Sequence, residues 1–341
     1  MLIVANLATT GCYYSHLAAG QIRLLWAREP ISEILESPET SAELRGQLEI
    51  VARAREIASG IGLEVGGQYT AYVPWAGDRI VTSIVATRPG EIEAAGFRFP
   101  IVGTLPYKGF FAIERAEAEA SRLRAEGLDV CVVPVSAYST LGWLDDPVTA
   151  PMLRSTRSRA ELVELVVHEL VHATVYAASE AEFNEGVASF IGEEAALRFA
   201  AEEGAASLAR ERSRIDGDRI LARAMLGFRE RVSALYATPE LAQPELRRRR
   251  AGLESAARAE LAALELPGRD MPGISQRARL GDACLALRGT YAADTPRHEA
   301  LLAALGGDLP AFVARLRDAA SQSPDGKPSQ RFFASADANW P

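Results

Sequence analysis

The chain has 341 residues, with 37 lysines and arginines against 45 aspartates and glutamates, for a formal charge of -8. Apolar residues make up 48% of it and charged residues 24%, the composition of a folded globular protein, which excludes a disordered or collagen-like chain. The acidic balance argues against a general nucleic-acid binder, which needs a basic face to release counterions. The length allows one large domain or two ordinary ones.

At the start, Met1–Ala8 is apolar but shorter than the roughly 20 residues of a spanning helix, and it lacks the basic leader of an ordinary signal peptide. It runs into Thr9-Thr10-Gly11-Cys12, which is similar to the end of a bacterial lipoprotein signal, where a small residue precedes a lipidated cysteine. Thr9 stands where leucine is usual. The other reading of this segment is a buried first strand followed by a structural thiol.

Gln21–Ala27 and Ser41–Ser59 read as helices, the second repeating Leu44, Leu48, Val51, Ala54 and Ile57 at helical spacing. Tyr69–Trp75, Arg79–Ala86 and Phe97–Leu105 are short, β-branched or aromatic, and bounded by Gly and Pro, which marks strands. Ala112–Glu126 reads as a helix and Asp129–Val135 as a buried strand. A small sheet with at least one crossover helix therefore precedes a helical region that runs from Arg159 to about Leu316. Arg247–Arg250 reads as a solvated helical face beside Glu245, Glu254 and Glu260. Cys131 lies in a strand-like run and Cys284 in a helical pattern, so they read as two separate buried thiols. The last twenty residues, rich in Ser, Pro, Asp and Gly, read as a loose tail.

Two of the four histidines fall in His168-Glu-Leu-Val-His172, the H-E-x-x-H pattern. Positions four apart share one helix face, so both imidazoles can reach one ion, and Glu169 points aside toward a water in the open coordination position. The surrounding helix, Glu161–Ala177, is apolar nearly all round and gathers Glu161, Glu164, His168 and His172 on one stripe. A zinc site wants a third protein ligand. If this helix ends near Ala178 or Ser179 and a second runs antiparallel from Asn184 to Phe199, His172 falls level with Glu185 and His168 with Ser189. Glu182 then sits in the turn, and Glu193 and Glu194 lie a turn beyond His168, so geometry selects Glu185. Asn184-Glu185-Gly-Val-Ala-Ser resembles the Asn-Glu-x-x-x-Ser/Ala element of gluzincin peptidases.

Further blocks carry a wider resemblance: Tyr13-Tyr14, Gly20-Gln21, Phe99–Gly103, Pro106–Phe111, Ala137–Trp143 with Asp145-Asp146-Pro147, and, more loosely, Gly306–Pro310. With the metal motif and Phe183-Asn184-Glu185, they make the chain resemble the bacterial family of predicted zinc aminopeptidases, many of which are lipoproteins. The resemblance implies an α+β, predominantly helical, zincin-like metallopeptidase with a small sheet and an active-site helix pair. It divides into a lipoprotein-like anchor segment (1–20), a catalytic region (21–205), a helical extension packed on it (206–320) and the tail (321–341). It also implies a lipid on Cys12 and a place in the cell envelope, facing the periplasm, with membrane contact only through that anchor and a peptide as substrate.

The expected mechanism follows. His168, His172 and Glu185 hold one Zn²⁺, and Glu169 is the general base, then acid, for a zinc-activated water. A further donor to the carbonyl oxygen is expected from Tyr291 or Tyr138, and Tyr138–Trp143 reads either as an edge strand for an extended peptide or as a turn capping the sheet. The competing readings are an endopeptidase and a catalytically silent lipoprotein whose structural zinc takes Cys131 or Cys284 as a fourth ligand.

Overall fold

The computed structural model describes residues 2–99, 103–137, 140, 143–178, 180–238, 241–286, 294–322 and 327–334, and for residues 2–12 the backbone alone. Leu2–Trp26 forms one helix, α1, in place of the first strand that its apolar start allows. From Tyr13 onward α1 lies against the rest of the chain. The Tyr13 hydroxyl donates to the Gly109 carbonyl at 3.0 Å, and Leu24 is buried with Val73, Ile80 and Val81. His16 Nε2 accepts the N–H groups of Phe111 and Ala112 at 3.1 and 3.4 Å. Those amides lie just ahead of a helix whose N-cap, Ala112, offers no side-chain acceptor, so His16 ties down the approach to that helix. Gly20 permits the approach, since a Cβ there would stand 2.2 Å from the Phe111 ring.

β1 (Glu29–Pro30) and α2 (Ile31–Glu36) lead to α3 (Ala42–Gly60). The last begins where Ser41 Oγ accepts the Leu44 N–H at 3.2 Å, and it buries Leu48, Val51, Ala54 and Ile57. There follow β2 (Ala71–Val73), β3 (Val81–Thr87), β4 (Phe97–Phe99), β5 (Gly103–Leu105), β6 (Lys108–Phe110), α4 (Ile113–Ala125), β7 (Asp129–Val135) and β8 (Val148–Thr149). These make three small sheets rather than one. The fully buried β3 lies between β6 and β7 and is antiparallel to both, so α4 is the crossover between two parallel outer strands. Phe97–Leu105, expected as one strand, is the antiparallel pair β4 and β5, and Gly103 takes the positive φ of 77° at the return.

The remaining helices are α5 (Ala150–Ser155), α6 (Arg159–Thr174), α7 (Ala181–Glu202), α8 (Ala205–Tyr236), α9 (Gln243–Ala263), α10 (Ile274–Arg277), α11 (Asp282–Ala286), α12 (Thr295–Ala304), α13 (Leu309–Ser321) and α14 (Pro328–Phe333). The fold is α+β and predominantly helical. The main core joins α3, α6 and α7 to α12, α13 and α14. A second, smaller core lies between α8 and α9, around Met225, Phe228, Val232 and Leu261. Among the described residues, no helix is long and apolar enough to cross a membrane.

Two expectations need correcting here. Cys131 on β7 is bonded to Cys284 on α11, with their Cα atoms 5.0 Å apart, so they are not separate thiols. Each residue's local pattern identifies its element, but only the packing of α11 on β3 and β7 brings the sulfurs together. The tail is not loose throughout either: α14 buries Phe332 and Phe333 completely in the main core. The arginine run is largely the solvated face expected, with Arg248 and Arg249 paired to Glu245. Arg250 turns inward to Asp282 at 2.9 Å, over the Phe228 ring.

Candidate metal centre

α6 lies in the main core with Leu162, Val163, Val166, Val167, Leu170 and Val171 buried. Its start is set by Ser158, whose hydroxyl accepts the Glu161 N–H at 3.1 Å, while Glu161 accepts the Arg157 N–H at 2.6 Å. α7 packs back along it. Gly192 lets the two backbones close, since a Cβ there would meet the Glu164 carbonyl oxygen at 2.8 Å. α6 stops at Thr174, earlier than the expected Ala178 or Ser179. Val175 is extended, at φ -140° and ψ 129°, and Thr174 Oγ1 donates to the Leu170 carbonyl at 2.7 Å while accepting the Glu64 N–H at 2.9 Å. Beyond it the Asn184 amide holds the backbone of Ala177 from both sides.

This turn sets Glu185, in the first turns of α7, opposite both histidines. His168 Nε2 and His172 Nε2 are 3.1 Å apart, and the two Glu185 oxygens lie 3.4 Å from the first and 3.6 Å from the second. A tetrahedral zinc with bonds of about 2.1 Å holds its ligand atoms about 3.4 Å apart, so the donor set fits one such ion. Among the described residues this is the one group of three or more metal-ligating side chains with donor atoms within 4.8 Å of one another. The Ser189 hydroxyl is 3.4 Å from His168 Nδ1, a contact that orients the ring with Nε2 toward the shared point.

Burial works against the Glu185 carboxylate, yet the facing histidines hold it well below the usual carboxylate range. Burial also disfavours the His172 imidazolium, but Glu185 and Glu169 together raise it above the ordinary histidine value. Glu169 is half-buried beside the stripe, and its charge reaches His172, Tyr69 and Tyr107. Among the described residues its carboxylate has no hydrogen-bond partner, so it is open to a proton donor.

Two tyrosines missed by pattern reading lie within electrostatic reach of this centre. Burial, with the charges of Glu185 and Glu169 and the neighbouring Tyr176, pushes the Tyr107 phenol up to about 12. Burial and Glu185 also raise Tyr176. The signal for Tyr176 is the spacing of four continued past His168 and His172, and Tyr107 lies in the Pro106–Phe111 block. Tyr138 and Tyr291 lie outside the described residues. Of Tyr138–Trp143, read as an edge strand or a turn, Thr140 and Trp143 are described and fit the turn, with the Trp143 N–H donating to the Thr140 carbonyl at 3.2 Å. Cys12 falls within α1, and its side chain is outside the description.

The other acids near the pair are engaged elsewhere. Glu182 faces Arg229 at 3.6 Å, and Glu193 pairs with Arg219 at 2.6 Å. Glu164, one turn before His168, meets Arg214 of α8, which also takes Glu211 and, at 2.8 Å, Asp218. Burial pushes the Glu164 carboxyl up to about 8 against the pull of Arg214. This charge cluster ties the metal helix to α8. His298 is fully buried among Phe190, Phe312, Phe332 and Phe333, away from the site.

No curated protein and no solved structure matches the chain. Residues 12–330, nearly its whole length, match a family model described as "Putative aminopeptidase", and the chain belongs to that family.

Proposed function

We propose that this chain is a zinc-dependent metallopeptidase of aminopeptidase type that works in the bacterial cell envelope. The observation that carries the reading is the convergence of His168 Nε2, His172 Nε2 and the Glu185 carboxylate, with Glu169 next to His168 in the chain. A zinc ion held there would supply a Lewis acid for the scissile carbonyl and a lowered pKa for water. Glu169 takes the proton of the attacking water and passes it to the leaving amine. Tyr107 and Tyr176, whose phenols stay protonated at neutral pH, are the donors for charge developing on the carbonyl oxygen. Ser189 orients the His168 ring, and the α6–α7 turn positions Glu185.

A structural zinc would want a fourth protein ligand. Cys131 and Cys284 are bonded to each other, and among the described residues no fourth ligating side chain joins the group. The disulfide supports the envelope reading, because such bonds persist in oxidising compartments. The family match begins at Cys12, the residue that would carry the lipid. Peptides with free and with blocked N-termini, incubated with and without a chelator, test the reading. Chelator-sensitive cleavage of free-amine peptides is expected, whereas cleavage that ignores both the chelator and the blocking group contradicts it.

A further inference from the structure

The turn that sets Glu185 against the histidines is itself held by a distant part of the chain. Within it the Glu180 N–H donates to the Ala177 carbonyl at 3.2 Å, and the Glu180 carbonyl accepts the Asn184 N–H at 3.0 Å. Glu180 is thus fixed to both residues that the Asn184 amide joins. It is also the N-cap of α7, yet its side chain makes no cap bond there. The carboxylate reaches α14 instead. One oxygen accepts the Ser329 N–H at 3.0 Å and the other accepts the Ser329 hydroxyl at 2.5 Å. Bonds to a charged acceptor are about twice as strong as neutral ones. Lys327, the N-cap of α14, gives no side-chain bond, so Glu180 takes a backbone donor that α14 leaves unmet.

A second contact repeats the link in apolar form. Phe183, two residues before Glu185, is buried with its ring 5.5 Å from that of Phe332 and 6.1 Å from that of Phe333, edge-on to both. Such pairs add to what burial alone contributes. A helix of six residues is too short to stand alone, so its neighbours set its place. Arg315 of α13 donates through Nε to the Phe332 carbonyl at 2.7 Å, and the Arg297 guanidinium of α12 lies 3.8 Å from the Phe333 ring centre. Both Glu180 and Phe183 lie on the segment that leads into Glu185, and both are tied to α14, about 150 residues further along the chain.

We infer that α14 is a clasp for the third metal ligand, with Glu180 and Ser329 as positioning residues that keep Glu185 at the spacing zinc requires. This rests on the zinc centre of the peptidase reading. The test is zinc affinity by chelator competition in the full chain. Glu180→Ala should weaken zinc about tenfold. Ser329→Ala, which leaves one of the two bonds, should weaken it about threefold, and Ser329→Thr, which keeps the hydroxyl, should match the wild type. The double variant Glu180→Ala, Ser329→Ala should be no weaker than Glu180→Ala alone, since both changes remove the same link. In the metal-free protein, hydrogen exchange at the Ala177 and Asn184 amides should quicken in Glu180→Ala while β3 and β7 exchange as in the wild type.

Unchanged zinc affinity in Glu180→Ala, unchanged exchange at those two amides, or losses that add in the double variant overturn the inference and leave the peptidase reading standing. The Cys131→Ser, Cys284→Ser chain is the control for general loosening, because that bond lies in a separate small cluster. A loss of zinc affinity there equal to that of Glu180→Ala also overturns the clasp. A wild type that binds zinc but cleaves no peptide defeats the peptidase reading alone, and a wild type that binds no zinc defeats both.

Discussion

Asn184 grips Ala177 with both ends of its amide: Oδ1 accepts the Ala177 N–H at 2.9 Å and Nδ2 donates to the Ala177 carbonyl at 2.8 Å. The pair is buried and closes the turn that sets Glu185 against the histidines. Asn184→Ala leaves a buried N–H and C=O unpaired, which costs about 1–3 kcal/mol in urea unfolding. Zinc affinity, read by chelator competition, should fall about tenfold as Glu185 loses its fixed position. Unchanged affinity would show that the turn does not position the ligand.

The Cys131–Cys284 bond closes a loop of 153 residues in sequence separation. Chain entropy gives such a crosslink about 5 kcal/mol at most, and about 2–5 kcal/mol is the usual range. Urea unfolding with and without reductant should differ by that amount, and a Cys131→Ser, Cys284→Ser double variant should match the reduced wild type. A reductant-insensitive midpoint would contradict the pairing.

Arg214 balances Glu164 and Glu211 in the space between α6 and α8. Arg214→Met leaves the buried Glu211 carboxylate uncompensated and the Glu164 carboxyl without its hydrogen-bond donor, and should cost about 3–5 kcal/mol of unfolding free energy. Adding Glu164→Gln and Glu211→Gln should restore most of the loss. A single variant as stable as the wild type would mean that the cluster contributes nothing to holding the metal helix.

Burial, aided by the charge of Arg297, pushes His298 from 6.5 down to about 3, and among the described residues neither ring nitrogen has a hydrogen-bond partner. The ring is therefore neutral in the fold, while the unfolded chain takes up a proton below about pH 6.5. The stability this residue contributes is complete above that pH and is lost as pH falls toward 3, at up to about 1.4 kcal/mol per pH unit. Between pH 7 and pH 5 the wild type should lose about 2 kcal/mol more than His298→Phe. Parallel pH profiles of unfolding would show the ring to be hydrated or paired.

Elements with strong periodicity are legible in the sequence. β7 spans Asp129–Val135 as its apolar run implies, and α3 and α4 end within a residue or two of their pattern limits. The end of α6 is not legible, because Val175 continues the apolar pattern while the Asn184 clasp on Ala177 breaks the helix. The pairing of His172 with Glu185 could be derived nonetheless, since antiparallel packing depends on the facing register more than on where the turn begins. β6 is too short to carry a period, and the disulfide and the Tyr107 approach are long-range, so no local pattern shows them.

Glu169→Gln tests the central claim most directly, because it keeps the shape of the side chain and removes only its capacity to take a proton. Peptide hydrolysis and bound zinc are measured on the same sample. The account expects about one zinc per chain, held by His168, His172 and Glu185, with hydrolysis reduced by roughly 10²–10⁴-fold. Undiminished hydrolysis by the zinc-loaded variant would contradict it.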